Sequence, residues 1–252
     1  MDSKSRFSSR VENYVRYRPG YPAELAATLQ AECGLSAASR VADVGSGTGL
    51  LALPFLRGGC RVIGVEPNAE MRAAGDRLLA EYPNFSSRAA SAEATGLEGH
   101  SVDFITAGQA FHWFDRILAR EEFERILAPG GWVVLVWNER RVDTTPFLRA
   151  YEQLLLDFGT DYQQVDHRNV DEAVIREFFG HSSLHSRVFE NIQWFDLEGV
   201  RGRLLSSSYV PEAGAPGYAE MLAELERIFQ RYAQDDRVAF AYDTRLFFDR
   251  LA

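Results

Sequence analysis

Three glycines at alternate positions, Gly45, Gly47 and Gly49, separate a short apolar run (Val41, Ala42, Val44) from the apolar start of a helix in VADVGSGTGLL. Glycine tolerates positive φ and lets a ligand lie against bare backbone. Asp43 stands two residues before the first glycine, and Glu66 closes the next apolar run, CRVIGVEPN. A carboxylate at the end of a second strand only accepts hydrogen bonds, which suits the two hydroxyls of a ribose. Asp43, so near the turn, repels a pyrophosphate and attracts a cation. Leu50 occupies the place of the third glycine of a dinucleotide GxGxxG. The two motifs, Ser46 and Pro67 included, predict a site for an adenosine-containing ligand that carries positive charge rather than phosphate.

Such residues converge only if strand, turn and helix repeat around a sheet. The pattern predicts a helix over 23–33 stopped by Gly34, the strand at 41–44, and a helix in LLALPFLRGG stopped by Gly58 and Gly59. Asn68 caps the helix AEMRAAGDRLLAEY, in which Met71 reads as core, and a polar edge strand follows near Phe85–Ala90. VDFITA reads as a central parallel strand buried on both faces. A helix over Asp115–Leu127 is stopped by Pro129-Gly130-Gly131 before the strand WVVLVWNE. Residues 142–186 break this rhythm with two helices, opening at Pro146 and near Glu172, and read as a cap over the cleft. SRVFENIQWFD returns to a strand. The helix LEGVRGRLLSSS turns Val200 and Leu204 inward and Arg201 and Arg203 elsewhere; a last helix carries the core stripe Met221, Leu225, Ile228 and Phe229, and VAFAYDTRLFF is the final strand. The expected architecture is α/β, a doubly wound, mostly parallel sheet in one domain over 1–252. Its parts are an N-terminal arm (1–35), a ligand-binding core (36–141), a helical cap (142–186) and a C-terminal part completing the sheet (187–252).

The 252 residues carry a formal charge of −9 and are 46% hydrophobic, ample for a core. The acidic balance, without a run of Lys or Arg, argues against nucleic acid or an anionic membrane as partner. Cys33 and Cys60 lie outside any metal-ligand or disulfide pattern, and a reducing cytoplasm is expected. MDSKSRFSSR lacks the apolar stretch of a signal peptide, and no apolar run reaches membrane-spanning length. Asp166, His167 and Arg168 read as a solvated loop, and His181 and His185 lack ligand spacing for a metal.

DVGSGTG and VEPN resemble the class I S-adenosylmethionine (SAM)-dependent methyltransferases. The arm NYVRYRPGYP and the strings AFHWFD and SSSYVP resemble the trans-aconitate-methyltransferase-like branch, of methyltransferase type 11. The resemblance covers nearly the whole chain, most specifically residues 41–138. It implies a Rossmann-like sheet of seven strands with the last antiparallel, slotted between the fifth and sixth. It also implies SAM as cofactor, held by Asp43, Gly45, Ser46, Gly47, Gly49, Glu66 and Pro67. Ser91, Ala92 and Glu93 fall where the family contacts adenine, although Ser91 replaces the usual Asp, and Gln109 falls near the methionine moiety.

Methyl transfer from a sulfonium is an in-line displacement whose main demand is alignment. A carboxylate acceptor is already ionised, whereas a hydroxyl, amine or carbon acid needs a base. His112 and Tyr209 are the candidate catalytic groups. Tyr17, Arg18, Tyr21, Phe111, His112, Trp113, Arg203, Ser208 and Tyr209 are the candidate acceptor contacts, with the arm acting as a lid. Arg18 and Arg203 suit a carboxylate, since a guanidinium matches it in two bonds. The expected enzyme methylates a small, carboxylate-bearing molecule as a monomer or homodimer. Methylation of a quinone or other natural-product ring is the alternative within the class; an NAD-dependent oxidoreductase and a non-catalytic SAM-binding module are the alternatives outside it.

Overall fold

A computed structural model describes residues 11–160, 162, 172–180 and 184–252. Asp166, His167, Arg168 and His181 lie outside the described residues. Among the described residues, β1 (Arg40–Val44), β2 (Arg61–Val65), β3 (Phe85–Arg88), β4 (Val102–Gly108), β5 (Leu127–Arg140), β6 (His185–Phe195) and β7 (Val238–Asp249) form a seven-stranded sheet, in the order β3-β2-β1-β4-β5-β7-β6. The first five strands pair in parallel; β7 runs antiparallel to both β5 and β6. The strand order reverses between β1 and β4, and the crevice at their carboxyl ends is where ligands bind in such sheets.

Local signals set the helices α2 (Ala23–Cys33), α3 (Ala52–Arg57), α4 (Ala69–Leu78), α5 (Arg116–Ile126), α6 (Pro146–Phe158), α8 (Leu197–Leu205) and α9 (Tyr218–Tyr232). Asn68 accepts the Met71 N–H ahead of α4, and Asp115 accepts the N–H groups of Ile117 and Leu118 ahead of α5. Thr145 does the same for Leu148 in α6, and Asp196 for Gly199 in α8. Each such cap is worth about 1 kcal/mol.

Alternate residues of the central strands feed two cores. Ala42, Val44, Ile105, Ala107, Val133 and Leu135 meet α5 on one face. Val41, Val62, Phe104, Val134 and Val136 meet α2 and α3 on the other. A third cluster joins α6, α8 and α9 to Val238, Phe240 and Tyr242 of β7. The outer strand β6 exposes Val188, Ile192 and Trp194.

Two segments differ from expectation. The arm contains a helix, α1 (Val11–Tyr17), whose Val11 packs on Met71 and Ala74 of α4. Of the expected cap, the second helix, α7 (Glu172–Phe179), turns Ile175, Phe178 and Phe179 into the core beside Phe111, Phe123 and Trp137. Three large apolar groups on one short helix outweigh a position over the cleft. Helix α6 buries Phe147, Leu148, Tyr151, Leu154 and Leu155 in the third cluster.

Candidate active site

Two cavities meet at the crevice and share Tyr14, Gly45, Gly47, Gly108, Gln109 and Trp113. The first, of about 190 Å³, runs over Glu66, Pro67, Asn68 and Met71 to Ser91, Ala92 and Glu93. The glycine turn is built for close approach: Gly45 and Gly47 have φ of 67° and 55°, and the N–H groups of Gly45 and Ser46 bond the Val65 carbonyl. Both oxygens of Glu66 are oriented, Oε2 by the Gly47 N–H and Oε1 by the Asn68 N–H, each at 2.8 Å. Burial raises the Glu66 carboxyl above its ordinary value, opposed by those N–H groups and the charge of Arg72.

Asp43 is fully buried at the tip of β1. Thr106 donates to its Oδ1 at 2.8 Å, and Oδ2 has no hydrogen-bond partner among the described residues. Burial, with a smaller contribution from the charge of Glu66, pushes its carboxyl up to about 7. Among the described residues the first cavity is thus lined by two carboxylates, Glu66 and Glu93, with no Lys or Arg, and Asp43 lines the adjoining one. This set fits S-adenosylmethionine: an uncharged adenosine, a ribose for Glu66, and an ammonium for a carboxylate whose second oxygen is otherwise unanswered.

The second cavity, of about 130 Å³, holds three guanidinium groups, those of Arg18, Arg140 and Arg203, among Tyr14, Tyr21, Tyr162, Tyr209 and Tyr242. Arg203 donates from Nε to the Tyr242 hydroxyl at 3.1 Å and from Nη1 to Ser207 at 3.3 Å. Arg18 donates to the Ser206 carbonyl at 3.1 Å and lies 5.0 Å over the Tyr14 ring. Arg140 pairs with Glu152, and the Tyr162 hydroxyl bonds both. Arg18 Nε and Arg140 Nη1 are buried without a partner among the described residues, where Arg18 and Arg203 also lack a carboxylate partner. Burial raises the Tyr209 phenol, but the charges of Arg203 and Arg18, with the Ser207 bond and Arg140, carry it below its ordinary value. The result is a buried cationic pocket joined to the cofactor cavity.

Most of the predicted residues meet here: Arg18, Tyr21, His112, Trp113, Arg203, Ser208 and Tyr209 line the second cavity, and Gln109 lines both. Arg203 is buried with Val200 and Leu204, not turned away from them. The helical period puts it three residues from Val200, on the same side. Three predicted residues line neither cavity. Tyr17 packs on Gly202 and Phe195 and bonds Glu198; Phe111 is core; Gly49 packs against Leu79. Met71, read as core, lines the cofactor cavity. Glu93 reaches that cavity too, yet its Oε1 accepts the Asp115 N–H at 3.0 Å. The arm is clamped: Asn138 and Asn191 donate to the Gly20 carbonyl, and Gln193 to that of Arg18. Tyr14, Asn138, Arg140, Tyr162 and Tyr242 were missed. Arg140 stands at the carboxyl end of a central strand, the one signal that would have found it.

A family model described as a methyltransferase domain matches residues 42–135. An uncharacterized methyltransferase of Schizosaccharomyces pombe is 28% identical over 240 residues, 93% of this chain and 92% of that one. One of Mycobacterium tuberculosis is 40% identical over 139 residues, 55% of this chain and 54% of its own. A proposed type II methyltransferase from Anaeromyxobacter dehalogenans shares the fold with a TM-score of 0.67 at 23% identity, over 93% of this chain and 98% of that one. The protein is a class I SAM-dependent methyltransferase. Among the described residues, no helix is long and apolar enough to cross a membrane.

Proposed function

We propose that the acceptor is a small molecule bearing a carboxylate, bound in the tyrosine-lined cavity beside the cofactor. One observation carries this reading: three buried guanidinium groups, of which only Arg140 has a carboxylate partner among the described residues. Unpaired buried charges are costly, and an anionic ligand relieves them. The cofactor supplies a methyl group already activated on a sulfonium. The chain's own residues hold and align: Glu66 the ribose, Asp43 the ammonium, Ser91, Ala92 and Glu93 the adenine end, and Arg18, Arg140 and Arg203 the acceptor. Tyr209 and His112 are the groups available to hold a proton, Tyr209 because three cations favour its phenolate. The wall of tyrosines also supports a ring-shaped acceptor such as a quinone or other natural product, the second reading. The acidic balance of −9 supports an acceptor other than nucleic acid or an anionic membrane, and the enzyme is taken as a cytoplasmic, one-domain monomer or homodimer.

Calorimetric titration with SAM, S-adenosylhomocysteine and NADH, on the protein and on Glu66→Ala, tests the cofactor site. Both SAM-type ligands should bind and NADH should not, with binding lost in the variant. For the acceptor, benzoate and benzamide are titrated into the S-adenosylhomocysteine complex. Benzoate should bind more tightly, and Arg203→Gln should cost it about tenfold, the weight of a charged hydrogen bond. Equal binding of acid and amide sinks the anionic reading.

A further inference from the structure

Gln109 stands where the two cavities join, at the carboxyl end of β4, and has a positive φ of 56°. That region is unfavourable for a side chain of this length, and such backbone collects at functional sites. Its Nε2 donates to the Asn138 carbonyl at 3.0 Å. A carbonyl only accepts, so this contact fixes which end of the amide is which. The other end, Oε1, is buried with no hydrogen-bond partner among the described residues. An acceptor oxygen is therefore held at the junction, awaiting a donor.

The guanidinium pocket presents the opposite chemistry. A carboxylate bound by Arg18, Arg140 and Arg203 has its lone pairs committed to N–H donors and its charge stabilised, so it is a blunted nucleophile. Such an anion is an anchor. Resting on the anionic-acceptor reading above, we infer that the acceptor is an aminocarboxylate: its carboxylate is anchored by the arginines, and its amine nitrogen, with an N–H held by Gln109 Oε1, takes the methyl group.

An amine suits Gln109 better than a hydroxyl does. A hydroxyl that donates its one proton to Oε1 must lose that proton as it reacts, and an amide oxygen cannot take it. An amine keeps its N–H on Oε1 while attacking with its lone pair. The nitrogen lone pair forms the new bond to the methyl carbon as the carbon–sulfur bond breaks, and the electron pair remains on sulfur. The nitrogen becomes positive, so its N–H bond to Oε1 strengthens in the transition state. The methylated ammonium then releases its proton to water. The cationic pocket disfavours an ammonium before reaction, which selects an amine that is a free base near neutrality.

The test uses 2-, 3- and 4-aminobenzoate against benzoate and the matching hydroxybenzoates, titrated into the S-adenosylhomocysteine complex. At least one aminobenzoate should bind about tenfold more tightly than benzoate, the worth of one hydrogen bond to a buried acceptor. In Gln109→Asn, whose residue also tolerates positive φ but falls one methylene short, that advantage should shrink to within about threefold while S-adenosylhomocysteine still binds. With methyl-labelled SAM the label should be stable to mild alkali, as an N-methyl group is. Three results overturn the inference: benzoate binding as well as every aminobenzoate, label released by alkali as from an ester, or none of the acids binding at millimolar concentration. Failure of S-adenosylhomocysteine itself to bind would instead remove the cofactor reading beneath it.

Discussion

Asp43 turns the cofactor site into a titrating one. With its carboxyl raised to about 7, the folded protein binds a proton there that the unfolded chain has released above its ordinary 3.8. Its contribution to stability is therefore full at low pH and is lost as pH rises toward 7. On the proposed placement of the cofactor ammonium against Asp43, binding reverses the preference, because an ammonium needs the carboxylate. Affinity for S-adenosylhomocysteine should rise between about pH 6 and pH 8 and level off above, and Asp43→Asn should bind about tenfold or more weakly with the slope gone. Calorimetry at several pH values reads both, and an unchanged slope in the variant would move the effect to Glu66, whose carboxyl is also raised. At this scale the sequence was partly legible. Gly45, Gly47, Asp43 and Glu66 announce themselves because a turn and two strand ends lie within a few residues of one another. Arg140 and Tyr242 do not: they are register partners across β5 and β7, about a hundred residues apart, and no local pattern joins them. Arg203 carries a charge that alone suggests solvent, whereas its three-residue spacing from Val200 puts it on the buried side of α8.

Among the elements, α1 and the turn after it bring Tyr14, Arg18, Pro19 and Tyr21 to the second cavity. A Cβ at Gly202 would lie 2.0 Å from the Tyr17 ring, so the ring rests on a bare stretch of α8. Gly202→Ala should expel that ring, cost about 1–3 kcal/mol in urea denaturation, and hasten tryptic cleavage after Arg16. Asn138 ties the Gly20 carbonyl to β5, while its own Oδ1 accepts from Thr244 and Asn191. Asn138→Ala leaves those buried partners unanswered and should cost about 2–3 kcal/mol, with binding at the second cavity falling as well. Calorimetry beside a thermal melt separates the two effects. The apolar periods of the central strands and of α4 and α9 were plain in the sequence, as was the Asn68 cap of α4; in α5 the same reading puts Ile117 and Leu118 on the buried stripe, and both are exposed. Helix α7 was legible in its bounds but not in its place, because an apolar stripe shows that a helix is buried without showing against what.

On the scale of the whole molecule, the charge of −9 surrounds a cationic pocket. SAM carries a net positive charge and S-adenosylhomocysteine none, so salt should weaken the first more than the second as the screening length shrinks from about 30 Å at 0.01 M to about 8 Å at 0.15 M. Titrations at those two concentrations test this; parallel losses would show that the long-range field is irrelevant to cofactor capture. The sheet's order has another effect. Strand β7 is the last of the seven in the chain but lies between β5 and β6, so β6 has no sheet neighbour until β7 exists. At roughly 5–20 residues per second of synthesis, the stretch between them takes about 2–9 s to appear. Val188, Ile192 and Trp194 stay exposed on β6 in the finished fold, but throughout that interval the nascent strand also lacks its one backbone partner, so synthesis adds a second open edge to an apolar face and with it a further risk of aggregation.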